Sequence, residues 1–199
     1  MLFRNHAFST SLGLLILTLT GCVASVQPLS DAKTSTPDLR LLGEWEYQEK
    51  GEGKKSEVVR FTVRKKADAP KVLQIIADDG NDKETLDLFL TRIDNGYFAS
   101  VQNDEKDGKK RYLIAKYELL ADGTIKIWVP ETEFFAKAVE GKKLKGKVNQ
   151  PNLFKDVALD DTADNIRKFL KENGTKCFGK ETDIRVRPVK KEAKKKSAK

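Results

Sequence analysis

TLDLFLTRIDNGYFASVQ, Thr85 to Gln102, decides how the rest of the chain is read. Leu86, Leu88 and Leu90 alternate with other residues, Asn95-Gly96 follows, and Tyr97, Ala99 and Val101 alternate again. A period of two puts alternate side chains on one face of a strand. Asn-Gly supplies the positive φ angles of a tight hairpin turn. The stretch is therefore predicted to be two antiparallel strands sharing one apolar face.

The same pattern continues in both directions. Upstream lie Trp45 and Tyr47, then Val59, Phe61 and Val63, then Val72 to Ile76. Downstream lie Leu113, Ala115, Tyr117 and Leu119, then Ile125, Ile127 and Val129. Turn signals separate them at Lys50–Lys55, Asp78–Asp82, Asp107-Gly108 and Asp122-Gly123. Seven consecutive strands with short links read as an antiparallel meander. A long meander leaves two exposed edges, and closing it into a barrel removes them.

After Pro130 the period changes. PETEFFAKAVEG places Phe134, Phe135, Ala138 and Val139 on one helical face, with Gly141 as a stop. A short strand is predicted at Leu144–Val148. DDTADNIRKFLKENG offers Asp160 or Asp161 as N-cap, an apolar stripe of Ile166, Phe169 and Leu170, and Gly174 as terminator. TDIRVRPV reads as a last strand through Ile184, Val186 and Val189. The expected fold is mainly β within the α+β class, a closed meander barrel with two short helices in the C-terminal third.

The triplet Gly43-Glu44-Trp45 in the first strand resembles the Gly-x-Trp signature of lipocalin-like barrels. That resemblance implies that Trp45 plugs the barrel floor. Lipocalins carry one main helix late in the chain, and two are read here. The inward alternates Trp45, Tyr47, Phe61, Leu88 and Tyr117 are the candidate ligand-binding residues. In a wide barrel they line a cavity for a small apolar ligand or lipid; in a narrow one they fill a closed core.

The N-terminal residues bear on location. Arg4 is the only charge in the first thirty residues, and Ala7–Leu19 is mostly apolar. This run falls short of the roughly 20 apolar residues that span a bilayer as a helix. A basic start, a short apolar centre and small residues after it read as an export signal. Leu19-Thr20-Gly21-Cys22 resembles the lipobox of bacterial lipoproteins. The resemblance implies cleavage before Cys22, a diacylglyceryl group on its sulfur and a membrane anchor; a plain secretory cut nearby is the competing reading. Val23 rather than Asp after the cysteine implies sorting to the outer membrane, periplasmic or surface-facing, if the host is diderm. Residues 23–39 are rich in Ser, Thr, Pro and Asp and read as a flexible linker. The expected organisation is a signal over 1–21, a lipidated N-terminus and linker over 22–39, a barrel domain over 40–189 and a Lys-rich tail over 190–199.

Composition then excludes chemistry. Without Arg4, the chain from Cys22 onward holds 37 Lys and Arg against 30 Asp and Glu, a net charge of +7. The last ten residues, KKEAKKKSAK, carry +5 of it. The basic balance belongs to the tail, so no nucleic-acid partner is expected, since that needs a basic stripe on a folded surface. The tail is expected either to be solvated or to contact anionic lipid or cell-wall polymer. The one histidine, His6, lies in the signal. Losing it removes the commonest general base and most transition-metal sites. No catalytic residue, metal or cofactor is assigned, and no enzyme is expected. GEGKKS at Gly51–Ser56 fails the spacing of a phosphate loop, and DDGNDKE at Asp78–Glu84 lacks the order of a calcium loop. Cys177 reads as a small packed hydrophobe. Two functions lead: a lipid-anchored, non-enzymatic module that binds an apolar ligand, or an envelope scaffold with a closed core that binds a protein or cell-wall polymer through its surface; a carboxylate-based hydrolase comes third and would need a deep cleft with two facing acids.

Overall fold

The computed structural model describes residues 23–48, 58–78, 83–104, 110–149, 155–179 and 184–189. They form strands β1 (Val23–Ser25), β2 (Gly43–Gln48), β3 (Val58–Lys65), β4 (Leu73–Asp78), β5 (Lys83–Ile93) and β6 (Gly96–Asp104). There follow β7 (Lys110–Leu119), β8 (Ile125–Trp128), β9 (Gly146–Asn149), β10 (Asp156–Leu159) and β11 (Ile184–Pro188). Two helices, α1 (Thr132–Glu140) and α2 (Ala163–Asn173), lie in the C-terminal third. Cys22, the GEGKKS loop, most of DDGNDKE, Asp107-Gly108 and the tail from Lys190 lie outside the described residues.

Strands β2 to β8 pair in chain order, β6 pairs with β7, and β11 enters between β8 and β2. The result is a closed eight-stranded antiparallel meander barrel. The hairpin that opened the reading is β5–β6, with Ile93 opposite Gly96 and Leu88 opposite Val101. Its left-handed residue is Asp94, at φ 50°. Gly96 serves space instead, because a Cβ there would stand 2.8 Å from the Phe98 ring. Gly43 does need conformational freedom: its φ of +139° starts β2 after the 3-10 turn Leu39–Leu41.

Two cores follow from the alternation. Trp45, Val63, Leu73, Leu88, Leu90, Val101, Tyr117, Ile125 and Val186 pack inside the barrel. The opposite face of β6 and β7 carries Phe98 and Ile114, which pack with Phe135 of α1 and with Ile166, Phe169 and Leu170 of α2. Phe134 and Phe135 each stack on Phe169, at 5.8 and 5.7 Å between centroids. The N-cap of α2 is Thr162, whose hydroxyl accepts from the Asn165 N–H at 3.2 Å, rather than Asp160 or Asp161. Asp161 is buried beside the cap and accepts from the N–H groups of Lys145 and Thr162 and from the Asn165 amide, each at 2.8 Å. The strand expected at Leu144–Val148 is β9, one or two residues later. Sequence alternation gave no sign of β10, which is only four residues long.

The largest correction concerns residues 23–39, read from composition as a flexible linker. They form a strap on the barrel wall. Strand β1 pairs antiparallel with β7 and parallel with β10. Beyond it, Leu29 is fully buried and its N–H donates to Ser100 Oγ at 3.0 Å. Thr91 Oγ1 donates to Ser30 Oγ at 2.9 Å, and the Thr36 N–H donates to the Leu90 carbonyl at 2.9 Å. Small polar residues look like linker because they lack apolar weight. Here the Ser30 and Ser35 hydroxyls bond the Thr91 hydroxyl and the Leu90 backbone of β5, while the Leu29 N–H bonds the Ser100 hydroxyl of β6.

Candidate binding site

All five residues singled out from the sequence belong to the barrel-interior cluster. Trp45, Leu88 and Tyr117 are buried, whereas Tyr47 and Phe61 are half-buried. The Trp45 indole N–H donates to the Leu41 carbonyl at 2.8 Å. Its polar edge is thus committed to the 3-10 turn that covers this end of the barrel, and its ring fills the floor.

On six of the eight strands burial inside the barrel falls off with distance from the Leu39–Leu41 turn, whereas on β6 and β7 the half-buried Tyr97 and Leu119 lie nearer the turn than the buried Val101 and Tyr117. Tyr47 lies beyond Trp45 on β2, Phe61 beyond Val63 on β3, and Ile75 beyond Leu73 on β4, counting away from the Leu39–Leu41 turn. Leu86 lies beyond Leu88 on β5, Ile127 beyond Ile125 on β8, and Ile184 beyond Val186 on β11. In every pair the residue nearer the turn is buried and the farther one is half-buried. One end of the barrel is therefore plugged, and toward the other an arc of six strands presents half-buried apolar side chains among the described residues. Alternation alone identifies the inner face but not depth along it, so Ile75, Leu86, Ile127 and Ile184 were not singled out beforehand.

The plugged end carries a polar cluster that sequence reasoning missed. Arg40 clamps Asp38 with two hydrogen bonds, Nε to Oδ1 at 2.8 Å and Nη2 to Oδ2 at 2.7 Å. Tyr117 Oη donates to Asp38 Oδ2 at 3.4 Å. The guanidiniums of Arg40 and Arg92 lie 5.3 and 5.6 Å from the centroid of Tyr97, and the Tyr97 and Tyr117 rings are 5.6 Å apart. The Arg40 hydrogen bonds hold the Asp38 carboxyl below the usual carboxylate range. Burial, and after it the Asp38 charge, push the Tyr117 hydroxyl up. A recess of about 180 Å³ opens here, lined by Pro37, Asp38, Arg40, Arg92, Tyr97 and Tyr117. A carboxylate saturated by one arginine and a tyrosine held neutral make a structural latch for the 3-10 turn. The faint signal was the period-two pairing of Tyr97 and Tyr117 with an Asp-x-Arg just ahead of β2.

Among the described residues no three His, Cys, Asp or Glu side chains converge on a metal position, and no helix is long and apolar enough to cross a membrane. Cys177 is buried, and desolvation pushes its thiol up to about 12. Compared with protein families, with curated proteins and with solved structures, the chain matches none.

Proposed function

We propose that the protein is a lipid-anchored, non-enzymatic binding module of the bacterial cell envelope that takes a small apolar ligand at the open end of its barrel. One observation carries the ligand reading: the half-buried arc of Tyr47, Phe61, Ile75, Leu86, Ile127 and Ile184, on six of the eight strands, away from the plugged floor. Apolar side chains left partly wet gain from a ligand that removes the remaining water, at about 25 cal/mol per Å² covered. The anchor reading rests on the lipobox Leu19–Cys22 and the apolar run before it. Attached acyl chains would hold the domain at the outer membrane of a diderm host, with no catalytic step assigned.

Native mass spectrometry of the protein extracted from membranes tests the ligand reading. A bound apolar molecule, released by organic solvent and lost in Phe61→Asp while Trp128→Phe retains it, is the expected result. A ligand-free spectrum from gently extracted protein would overturn it. Incorporation of labelled palmitate that disappears in Cys22→Ala tests the anchor.

The near-complete burial of Trp45, Leu88, Leu90 and Tyr117 inside the barrel favours a second reading. In it the core is closed throughout and the surface binds an envelope protein or polymer. A cross-linked partner recovered from cells whose barrel carries no ligand would select this alternative.

A further inference from the structure

We infer that the outer face of β7 and β8 around Trp128 is a membrane-contact surface, which seats the domain directly on a lipid leaflet bearing anionic headgroups. The inference rests on the lipid-anchored reading and deepens it.

The first support is a side-chain cluster on the outside of the barrel. Trp128 closes β8 on the outside of the barrel, half-buried: one side packs against the helix-covered core of Phe98, Phe135 and Phe178, and the rest of its surface lies outside both cores. Lys116 stands opposite it on β7 with Nζ 5.2 Å from the indole centroid. Lys126, two residues earlier on β8, places its Nζ 4.8 Å from the same ring. On the next strand Arg185 is opposite Lys126, while Glu118 faces Lys126 from β7. An indole has an apolar body and a polar N–H, and it favours the headgroup boundary of a bilayer. Ammonium groups beside it draw anionic headgroups, over about one Debye length.

The second support is the tether, and it is independent of the cluster. Val23 is fixed in the sheet by its pairing with Val157 and is buried. Cys22 is the residue before it, so its Cα lies about 3.8 Å from that of Val23. From Val23 onward the chain lies on the barrel wall, so a lipid on Cys22 would be attached one residue from a strand. Ala24 is opposite Leu113 and Trp128 is opposite Lys116, so both sit against β7. Three residues of strand separate the two positions, roughly 10 Å. An acyl chain entering a bilayer from Cys22 brings that bilayer to the Trp128 face. Anchor, aromatic and the Lys116 and Lys126 ammonium groups thus point to one partner, an anionic membrane surface.

The experiment uses the full chain purified from membranes, with acylation of Cys22 read by intact mass. It is reconstituted in vesicles of brominated phosphatidylcholine with and without phosphatidylglycerol. Trp45 is buried in the barrel, so lipid quenching of intrinsic fluorescence reports on Trp128. Quenching that is lost in Trp128→Phe is expected. It should fall at least about twofold in Lys116→Glu/Lys126→Glu and with added salt, while the protein stays in the vesicle fraction. Acylated, vesicle-bound protein whose fluorescence is unquenched, or quenched equally in Trp128→Phe, would overturn the seating and leave the anchor standing. An unacylated Cys22 would sink the anchor reading alone. The unacylated chain would then be sedimented with phosphatidylglycerol vesicles, and binding insensitive to Lys116→Glu/Lys126→Glu would sink the face as well.

Discussion

The Ser35 hydroxyl donates to the Leu90 carbonyl at 3.1 Å and accepts from the Leu90 N–H at 2.9 Å. Leu90 is a barrel-interior residue on β5, and β4 begins at Leu73, opposite Leu88. Past that point the outer edge of β5 has no strand beside it, and a serine hydroxyl stands in for one. Ser35→Ala leaves the buried Leu90 N–H without that acceptor. The expected loss is about 1–3 kcal/mol of folding stability, read as a lower midpoint of urea unfolding. A Ser35 in a true linker would leave the midpoint where it was.

Leu29 gives the strap its apolar contact, being fully buried among Phe98, Ile114 and Ile166. Leu29→Ala is expected to cost about 2–5 kcal/mol, from lost burial and from the cavity left behind. The check is the same denaturant series, with hydrogen exchange of the Leu29 amide on Ser100 Oγ as a local reporter. Unchanged stability would mean that the strap does not hold in solution.

Asp161 links β9 and α2 through one buried carboxylate. Burial raises its pKa, but the donors from Lys145, Asn165 and Thr162 outweigh this and hold the carboxyl below its ordinary value of 3.8. A depressed carboxylate stabilises the fold fully above its unfolded pKa, and that stability is lost as pH falls through the folded pKa. The advantage of the native chain over Asp161→Asn should therefore be constant from neutral pH down to about pH 5 and shrink below about pH 4. Thermal unfolding across that range measures it, and a gap that widens on acidification would contradict the assigned hydrogen bonds.

Cys177 should be inert while the protein is folded. Desolvation places its thiol near 12, so almost no thiolate forms at pH 8. In a Cys22→Ser chain, where Cys177 is the sole thiol, a chromogenic disulfide reagent should titrate nothing until denaturant is added. Rapid labelling of the native protein would show that the core around Phe135 and Phe178 opens readily.

The barrel was legible because its residues obey one rule repeatedly. From Trp45 to Val129 every inner position recurs at a spacing of two, and short Gly-, Asn- and Asp-containing breaks mark the turns. What was not legible depends on long-range partners. Ser30 and Ser35 acquire meaning only from Thr91 and Leu90, some 55 to 61 positions away. Val157 and Leu159 are buried in a strand too short to show a period. The candidate site divides in the same way. Alternation marked Tyr47 and Phe61 as inward, but only the three-dimensional placement of the 3-10 plug tells which end of each strand stays uncovered. Asp38 and Arg40 fell at the assumed edge of a linker, where no pattern could connect them to Tyr97 and Tyr117.

The barrel wall is completed by β11, which reaches back from Ile184 to pair with both β8 and β2. Until that segment has been synthesised, the edges of β2 and β8 have no partner and the ring cannot shut. The emerging polypeptide must stay unclosed while the residues between β8 and β11, Val129 to Asp183, are added. Ring closure between such distant segments is entropically costly and slow. The seven meander strands therefore emerge from the ribosome as an open sheet, leaving a window in which handling factors meet two bare edges instead of a finished cylinder.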